Sequence, residues 1–127
     1  MQGVIAVMES FSIREAPEAL VVLVEDAAAL NDFRSNSFRD ALYEAVEGRE
    51  GGRFALDLGT VDFLSSSGVA ILVGLKRRVD GLHGKLVIFG VQPVVQDLLR
   101  ITRLMQYFTF ADDEKAALAL LRPLPTA

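Results

Sequence analysis

Three consecutive serines, Ser65, Ser66 and Ser67, stand directly before Gly68 and an apolar run that opens at Val69. Upstream, an apolar stretch ends at Leu58, and a short passage through Asp62 and Phe63 leads to the serines. Hydroxyls at such a strand-to-helix junction have two uses. One is capping, in which the side-chain oxygen accepts from a free N–H of the first helical turn; at most helix starts that is all a serine does. The other is to carry a phosphoryl group. Unpaired N–H groups and the positive dipole end of a helix suit an anion, so a phosphate there need not unfold its host.

Little else in the chain is equipped for chemistry. It contains no cysteine, which excludes disulfides, thiolate metal sites and cysteine nucleophiles, and its one histidine, His83, excludes a histidine-rich metal site. His83 lies between Leu82 and Gly84 and reads as an ordinary loop residue. Asp57 interrupts an apolar strand, but no second acid, base or nucleophile pairs with it at a recognisable spacing, so a sheet-edge or loop-facing acid is expected. The string Gly48–Gly52 lacks the strand-to-helix setting and the Lys-Ser/Thr ending of a phosphate loop. Lys76, Arg77 and Arg78 sit on an amphipathic helix, where their plainest role is its solvated face. Seventeen acidic against thirteen basic residues give a net charge of −4, which argues against nucleic-acid binding. No enzyme, cofactor or metal is expected.

The 127 residues suffice for one domain with a proper core, and with 51% hydrophobic and 24% charged residues the composition is that of a globular protein. No apolar run approaches the ~20 residues of a membrane helix. Met1–Glu9 has no basic residue ahead of its apolar stretch and does not read as a signal peptide. A cytoplasmic location is the expectation.

The elements that must position the serines follow from periodicity. Phe11–Glu15 alternates like a half-buried strand, Ala16-Pro17-Glu18 makes a turn, and Ala19–Glu25 is a β-branched run expected of a central strand. Val4–Met8 is a further short strand. Asn31 or Asp32 caps a helix whose Phe33, Phe38, Leu42, Ala45 and Val46 recur at helical spacing, with Gly48 and Gly51-Gly52 ending it. Arg53–Leu58 is the next strand. A helix over Ser66–Leu82 buries Val69, Leu72, Leu75, Val79 and Leu82; in it Gly68 allows close backbone approach and Gly74 lets the helix sit tightly on the sheet. Lys85–Phe89 is a strand, and Pro93 opens a helix burying Val94, Val95, Leu98, Leu99 and Ile101. Tyr107–Phe110 is extended, and Asp112 caps a last helix over Ala116–Leu121, with Asp113 and Glu114 placed for its dipole. Strands alternating with helices from residue 19 onward call for a single α/β domain with a mainly parallel or mixed sheet.

The stretch Arg53–Val79 resembles the STAS domain of bacterial anti-sigma factor antagonists. The matching residues are Leu58, Val61, Phe63, Ser66, Ser67, Gly68 and Val69. The similarity continues through Gly84–Ile88, Val91–Leu99, Thr102-Arg103-Leu104 and Phe108, and covers about residues 11–121 of a single domain over 1–127. The resemblance implies one mixed sheet of four to six strands with about four helices packed mainly on one face.

It also implies a function. In the family, the unphosphorylated domain binds an anti-sigma factor, itself a serine kinase of GHKL type, and so frees a sigma factor. Phosphorylation of one serine ends that binding, and a serine phosphatase restores it. The family's phosphoserine falls two residues before the glycine, which is Ser66 here. The resemblance places the docking face at Asp62, Phe63, Ser65, Ser66, Ser67 and Gly68. Two positions depart from the pattern. Ser65 stands where the family has aspartate, leaving Ser67 and Ser65 as alternative phosphate acceptors. Glu25–Asp32 replaces the usual Gly-x-x-Asp, so Asp26 and Asp32 are candidates for partner contact, with solvated loop acid or helix cap as their plainer roles. The missing aspartate also supports a second reading, a STAS scaffold that is never phosphorylated, in a stressosome-like assembly or a lipid-transport complex. The oligomeric state stays open.

Overall fold

A computed structural model of the chain describes residues 3–7, 11–26, 30 and 35–122. Six strands, β1 (Gly3–Val7), β2 (Phe11–Glu15), β3 (Leu20–Val24), β4 (Arg53–Asp57), β5 (Lys85–Phe89) and β6 (Thr109–Ala111), lie side by side in that order. β1, β2 and β3 pair antiparallel, and β3 to β6 pair parallel. Among the described residues the helices are α1 (Ser35–Val46), α2 (Ser66–Gly81), α3 (Pro93–Ile101) and α4 (Glu114–Leu121). The sheet is therefore mixed, as the family resemblance implies, with the full six strands.

Alternation along the strands divides the core into two layers, because successive side chains point to opposite faces. Phe11, Ile13, Val22, Val24, Phe54, Leu56 and Ile88 face α1, α2 and α3, and the helices return Phe38, Leu42, Leu72, Leu75, Val79, Val95 and Leu99. Val21, Ala55, Val87 and Phe89 form the other face, which α4 covers with Ala117, Leu118 and Leu121. An ion pair between Arg14 and Glu114 joins β2 to α4 on that side. Three helices on one face and one on the other agree with the expected arrangement.

The strand and helix readings hold with shifted boundaries, and several details differ. The buried face of α2 includes Ile71, while Val69 and Leu82 are half-buried. In α3 only Val95 and Leu99 are fully buried; Val94 is 54% and Ile101 78% exposed, and Leu98 is half-buried. Residues 95 and 99 share the face turned to the core, whereas 94 and 101 lie on the flank turned away from it. Asp113, not Asp112, caps α4, its carboxylate accepting from the Ala116 N–H at 2.8 Å. The N-cap oxygen reaches the third helical residue, and with the helix opening at Glu114 only Asp113 has that spacing. The cap candidates Asn31 and Asp32, and Phe33 with them, lie outside the described residues.

Gly74 serves a contact other than the one expected. A Cβ there would stand 2.1 Å from the Tyr43 hydroxyl, so the glycine admits α1 rather than the sheet. Tyr43 donates to the Ile71 carbonyl at 2.9 Å, and the Arg78 guanidinium stacks 3.8 Å above its ring. Burial pushes the Tyr43 pKa up, and Arg78 and then Arg39 pull it part of the way back. A folded-state pKa above the unfolded one means that the folded chain holds this proton more tightly. The associated stability is complete below the ordinary tyrosine value and is lost as pH rises through the folded one. Tyr43→Phe is expected to cost about 1 kcal/mol at neutral pH through the lost hydrogen bond. The gap in Tm between wild type and variant should close as pH passes about 10. A gap that stays constant in thermal melts across that range contradicts the assignment.

Candidate functional site

The parallel strands β3, β4 and β5 all end at the same edge of the sheet, where the connections into the helices converge. In open α/β sheets the carboxyl ends of such strands are where binding surfaces form. The β4–α2 connection, residues 58–65, crosses this edge and is tied at several points. Leu58 donates its N–H to the Phe89 carbonyl at 3.1 Å, and Asp57 accepts from the Gly59 N–H at 2.8 Å. The Gln92 amide, at the start of α3, donates to the Gly59 carbonyl at 2.7 Å. On the other side the Thr60 hydroxyl donates to the Val24 carbonyl at the end of β3. Val61 and Leu64 are buried and anchor the connection to the main core.

Between these anchors the chain turns residues outward. Asp62 is exposed, and Phe63 leaves 47% of its surface in solvent although it is a large aromatic. An exposed aromatic on an anchored loop suits protein contact, since aromatic residues are enriched at interfaces. The serines follow, and the structure separates them. Ser65 is half-buried and is the N-cap of α2; its hydroxyl accepts from the Gly68 N–H at 3.0 Å and donates to the Leu30 carbonyl at 3.2 Å. Ser66 and Ser67, the first two residues of the helix, are exposed. No acidic residue occupies the first turn of α2, so its positive end is not neutralised from within the helix.

Gly68 is buried against the neighbouring connection. A Cβ at this position would lie 1.9 Å from the Leu30 carbonyl oxygen, so the close approach expected of this glycine is real, and it is made to Leu30. Ser65 also donates its backbone N–H to the same carbonyl at 3.1 Å. Asp26 lies half-buried two residues past the end of β3, on the same sheet edge as the serines; Asp32 lies outside the described residues. Thus the structure exposes Asp62, Phe63, Ser66 and Ser67 on one short platform, with Ser65 half-buried at its edge and Asp26 on the adjacent connection, whereas Gly68, expected on the docking face, is buried beneath it by its approach to Leu30.

Leu30, Thr60 and Gln92 are the contributors that sequence reading missed. Nothing in their residue types marks them; only the demand of Gly68 for a close neighbour hinted at one. Elsewhere charged residues pair with one another. Lys76 pairs with Asp80 at 2.8 Å and lies over the Tyr107 ring, and His83 Nδ1 sits 2.7 Å from Glu50 in exposed loops. Among the described residues there is no group of three or more potential metal ligands and no helix long and apolar enough to cross a membrane.

Comparison with known proteins matches this architecture. An anti-sigma F factor antagonist of Paenibacillus polymyxa is 27% identical over 101 residues, 80% of this chain and 86% of that protein. A second curated relative, from Bordetella bronchiseptica, is 29% identical over 70 residues, so that match spans 55% of this chain and 60% of that one. Among solved structures, an anti-sigma-factor antagonist (STAS) domain protein from Planctomyces limnophilus superposes with a TM-score of 0.78 at 18% identity, covering 87% of this chain and 97% of that one. The Bacillus cell fate determinant SpoIIAA in its phosphorylated form gives a TM-score of 0.63 at 17% identity over 88% of this chain and 99% of its own, and the unphosphorylated form gives 0.66. The profile of the STAS domain matches residues 10–117, and with the sheet order, the serine-capped helix and the Gly68 contact all in place, this chain belongs to the STAS domain family.

Proposed function

We propose that the chain is an anti-sigma factor antagonist, a binding module rather than an enzyme, switched by phosphorylation of Ser66. Unphosphorylated, it docks through the Asp62–Ser67 platform, with Asp26 at its margin, onto an anti-sigma factor that is a serine kinase of GHKL type. Once phosphorylated it releases that partner until a serine phosphatase acts. Such an exchange belongs in the cytoplasm and is carried by the one STAS domain.

The observation that carries this reading is the exposure of Ser66 at an uncompensated helix start beside Phe63 and Asp62. A hydroxyl in that position is open to a kinase, and the first-turn N–H groups can face the added phosphate without disturbing the core. The Paenibacillus polymyxa relative, an anti-sigma F factor antagonist, supports the partner class. Ser65, by contrast, is committed to two hydrogen bonds and is the least suited of the three serines to modification.

The test is intact mass after incubation with ATP and each GHKL-type serine kinase of the source organism. One kinase should add a single increment of about 80 Da to the wild type, and none to Ser66→Ala. Absence of any increment with every kinase moves the protein to the scaffold reading, and an increment that survives Ser66→Ala shifts the switch to Ser67.

A further inference from the structure

Ser65 makes three contacts that end on or beside one atom. Its N–H and its hydroxyl both reach the Leu30 carbonyl oxygen, at 3.1 and 3.2 Å, and the same hydroxyl accepts from Gly68, whose Cα packs against that carbonyl. The Leu30 side chain is wholly buried in the main core, so the carbonyl is held from behind as well. We infer that Ser65 is a positioning residue: it latches Leu30 to the mouth of α2, and it does so because a neutral hydroxyl both donates and accepts.

The chemistry is specific to the hydroxyl. An aspartate at position 65, the residue the STAS pattern favours, could still accept from the Gly68 N–H, and its charge would suit the positive helix end. It has no proton to give the Leu30 carbonyl, however, and would set a carboxylate oxygen against a carbonyl oxygen at hydrogen-bond distance. Alanine loses both bonds, whereas threonine keeps both. Capping and latching are therefore separable by substitution.

The latch has a functional consequence, which rests on the proposed kinase-binding role. A partner seated over Ser66 rests on the mouth of α2, whose seat against Leu30 is fixed only while the Ser65 contacts hold. Preorganisation of this sort acts on binding, because a partner need not then order the surface itself. The phosphorylated hydroxyl, on the neighbouring residue, is not moved. Loss of the latch should raise KM for phosphorylation and leave kcat nearly unchanged.

Amide hydrogen exchange on the isolated chain reads the latch without any partner. In wild type and Ser65→Thr, the amides of residues 65 and 68 should both be protected. In Ser65→Asp the residue 68 amide should stay protected while the residue 65 amide exchanges at least about tenfold faster, and in Ser65→Ala both should accelerate. Kinetics with the kinase that phosphorylates Ser66 should then show KM about tenfold higher for Ser65→Asp, kcat within about twofold, and rescue by Ser65→Thr. Unchanged protection at residue 65 in Ser65→Asp overturns the latch, and lost protection with unchanged KM overturns its role in binding. If no kinase modifies the wild type, the functional reading fails, while the exchange pattern still decides the latch.

Discussion

If the proposed switch operates, phosphorylated protein should bind an anti-sigma kinase partner at least about a hundredfold more weakly than unmodified protein, a difference of about 2.7 kcal/mol. The estimate is electrostatic. Phosphate adds a charge of about −1.5 to −2. At about 5 Å from a partner carboxylate and an effective dielectric near 20, each unit of charge costs about 3 kcal/mol before salt screening. Ser66→Asp carries a single unit, so its affinity should fall by about tenfold or more, and less at high salt. Ser66→Ala should bind like wild type. Stability should move the other way: an acidic side chain in the uncompensated first turn of α2 is worth about 0.3–1 kcal/mol, so Ser66→Asp should melt at or slightly above the wild-type temperature. Calorimetric titration and thermal melts on the same samples separate the two effects. Equal affinities for wild type, Ser66→Asp and the phosphorylated protein would end the proposal, and a fall in Tm that tracks the loss of affinity would mean that the substitution acts by unfolding.

The second large effect concerns folding. Three glycines lie within α2, and alanine favours a helix over glycine by up to about 1 kcal/mol at each, so propensity alone predicts three stabilising substitutions. Tertiary contacts divide them. At Gly81 a Cβ meets nothing within 4 Å, and Gly81→Ala should keep its gain. At Gly74 the Cβ would stand 2.1 Å from the Tyr43 hydroxyl, the far end of a side chain that can swing aside by giving up its bond to Ile71, a loss of about 1 kcal/mol that cancels the propensity gain. At Gly68 the Cβ would lie 1.9 Å from the Leu30 carbonyl oxygen and 2.9 Å from its carbon. That obstacle is backbone, fixed by a buried side chain and by Ser65, so a connection or a helix must move. Overpacking of this kind costs about 3 kcal/mol. In a domain of this size that lowers Tm by roughly 10 °C. The expected order of melting temperatures is Gly81→Ala highest, wild type and Gly74→Ala close together, then Gly68→Ala well below. A Gly68→Ala variant as stable as wild type would show that the approach to Leu30 is not required.

What could be read from residue order was whatever rests on local periodicity. The alternation of Phe11–Glu15, the β-branched run at Leu20–Val24 and the helical spacing of Phe38, Leu42 and Val46 each specify an element from within a few residues, and their alternation along the chain implies a parallel or mixed sheet. The Ser-Ser-Gly junction was legible too, because a hydroxyl before a glycine at a strand-to-helix turn is itself a local pattern. Choices between similar neighbours were not. Val94 and Ile101 are as apolar as Val95 and Leu99, and only the direction from which the sheet approaches α3 decides which pair is buried. Asp112 and Asp113 are equally able to cap, and the residue at which α4 begins selects one. The three serines are chemically identical. What distinguishes Ser65 from Ser66 is the Leu30 carbonyl, which lies thirty-five residues earlier in the chain and reaches the mouth of α2 only when the sheet has formed. Residue order thus sufficed to place hydroxyls at the helix start, while packing between distant segments decided which is tied down and which is left facing outward, because a contact between residues far apart leaves no periodic trace in either segment.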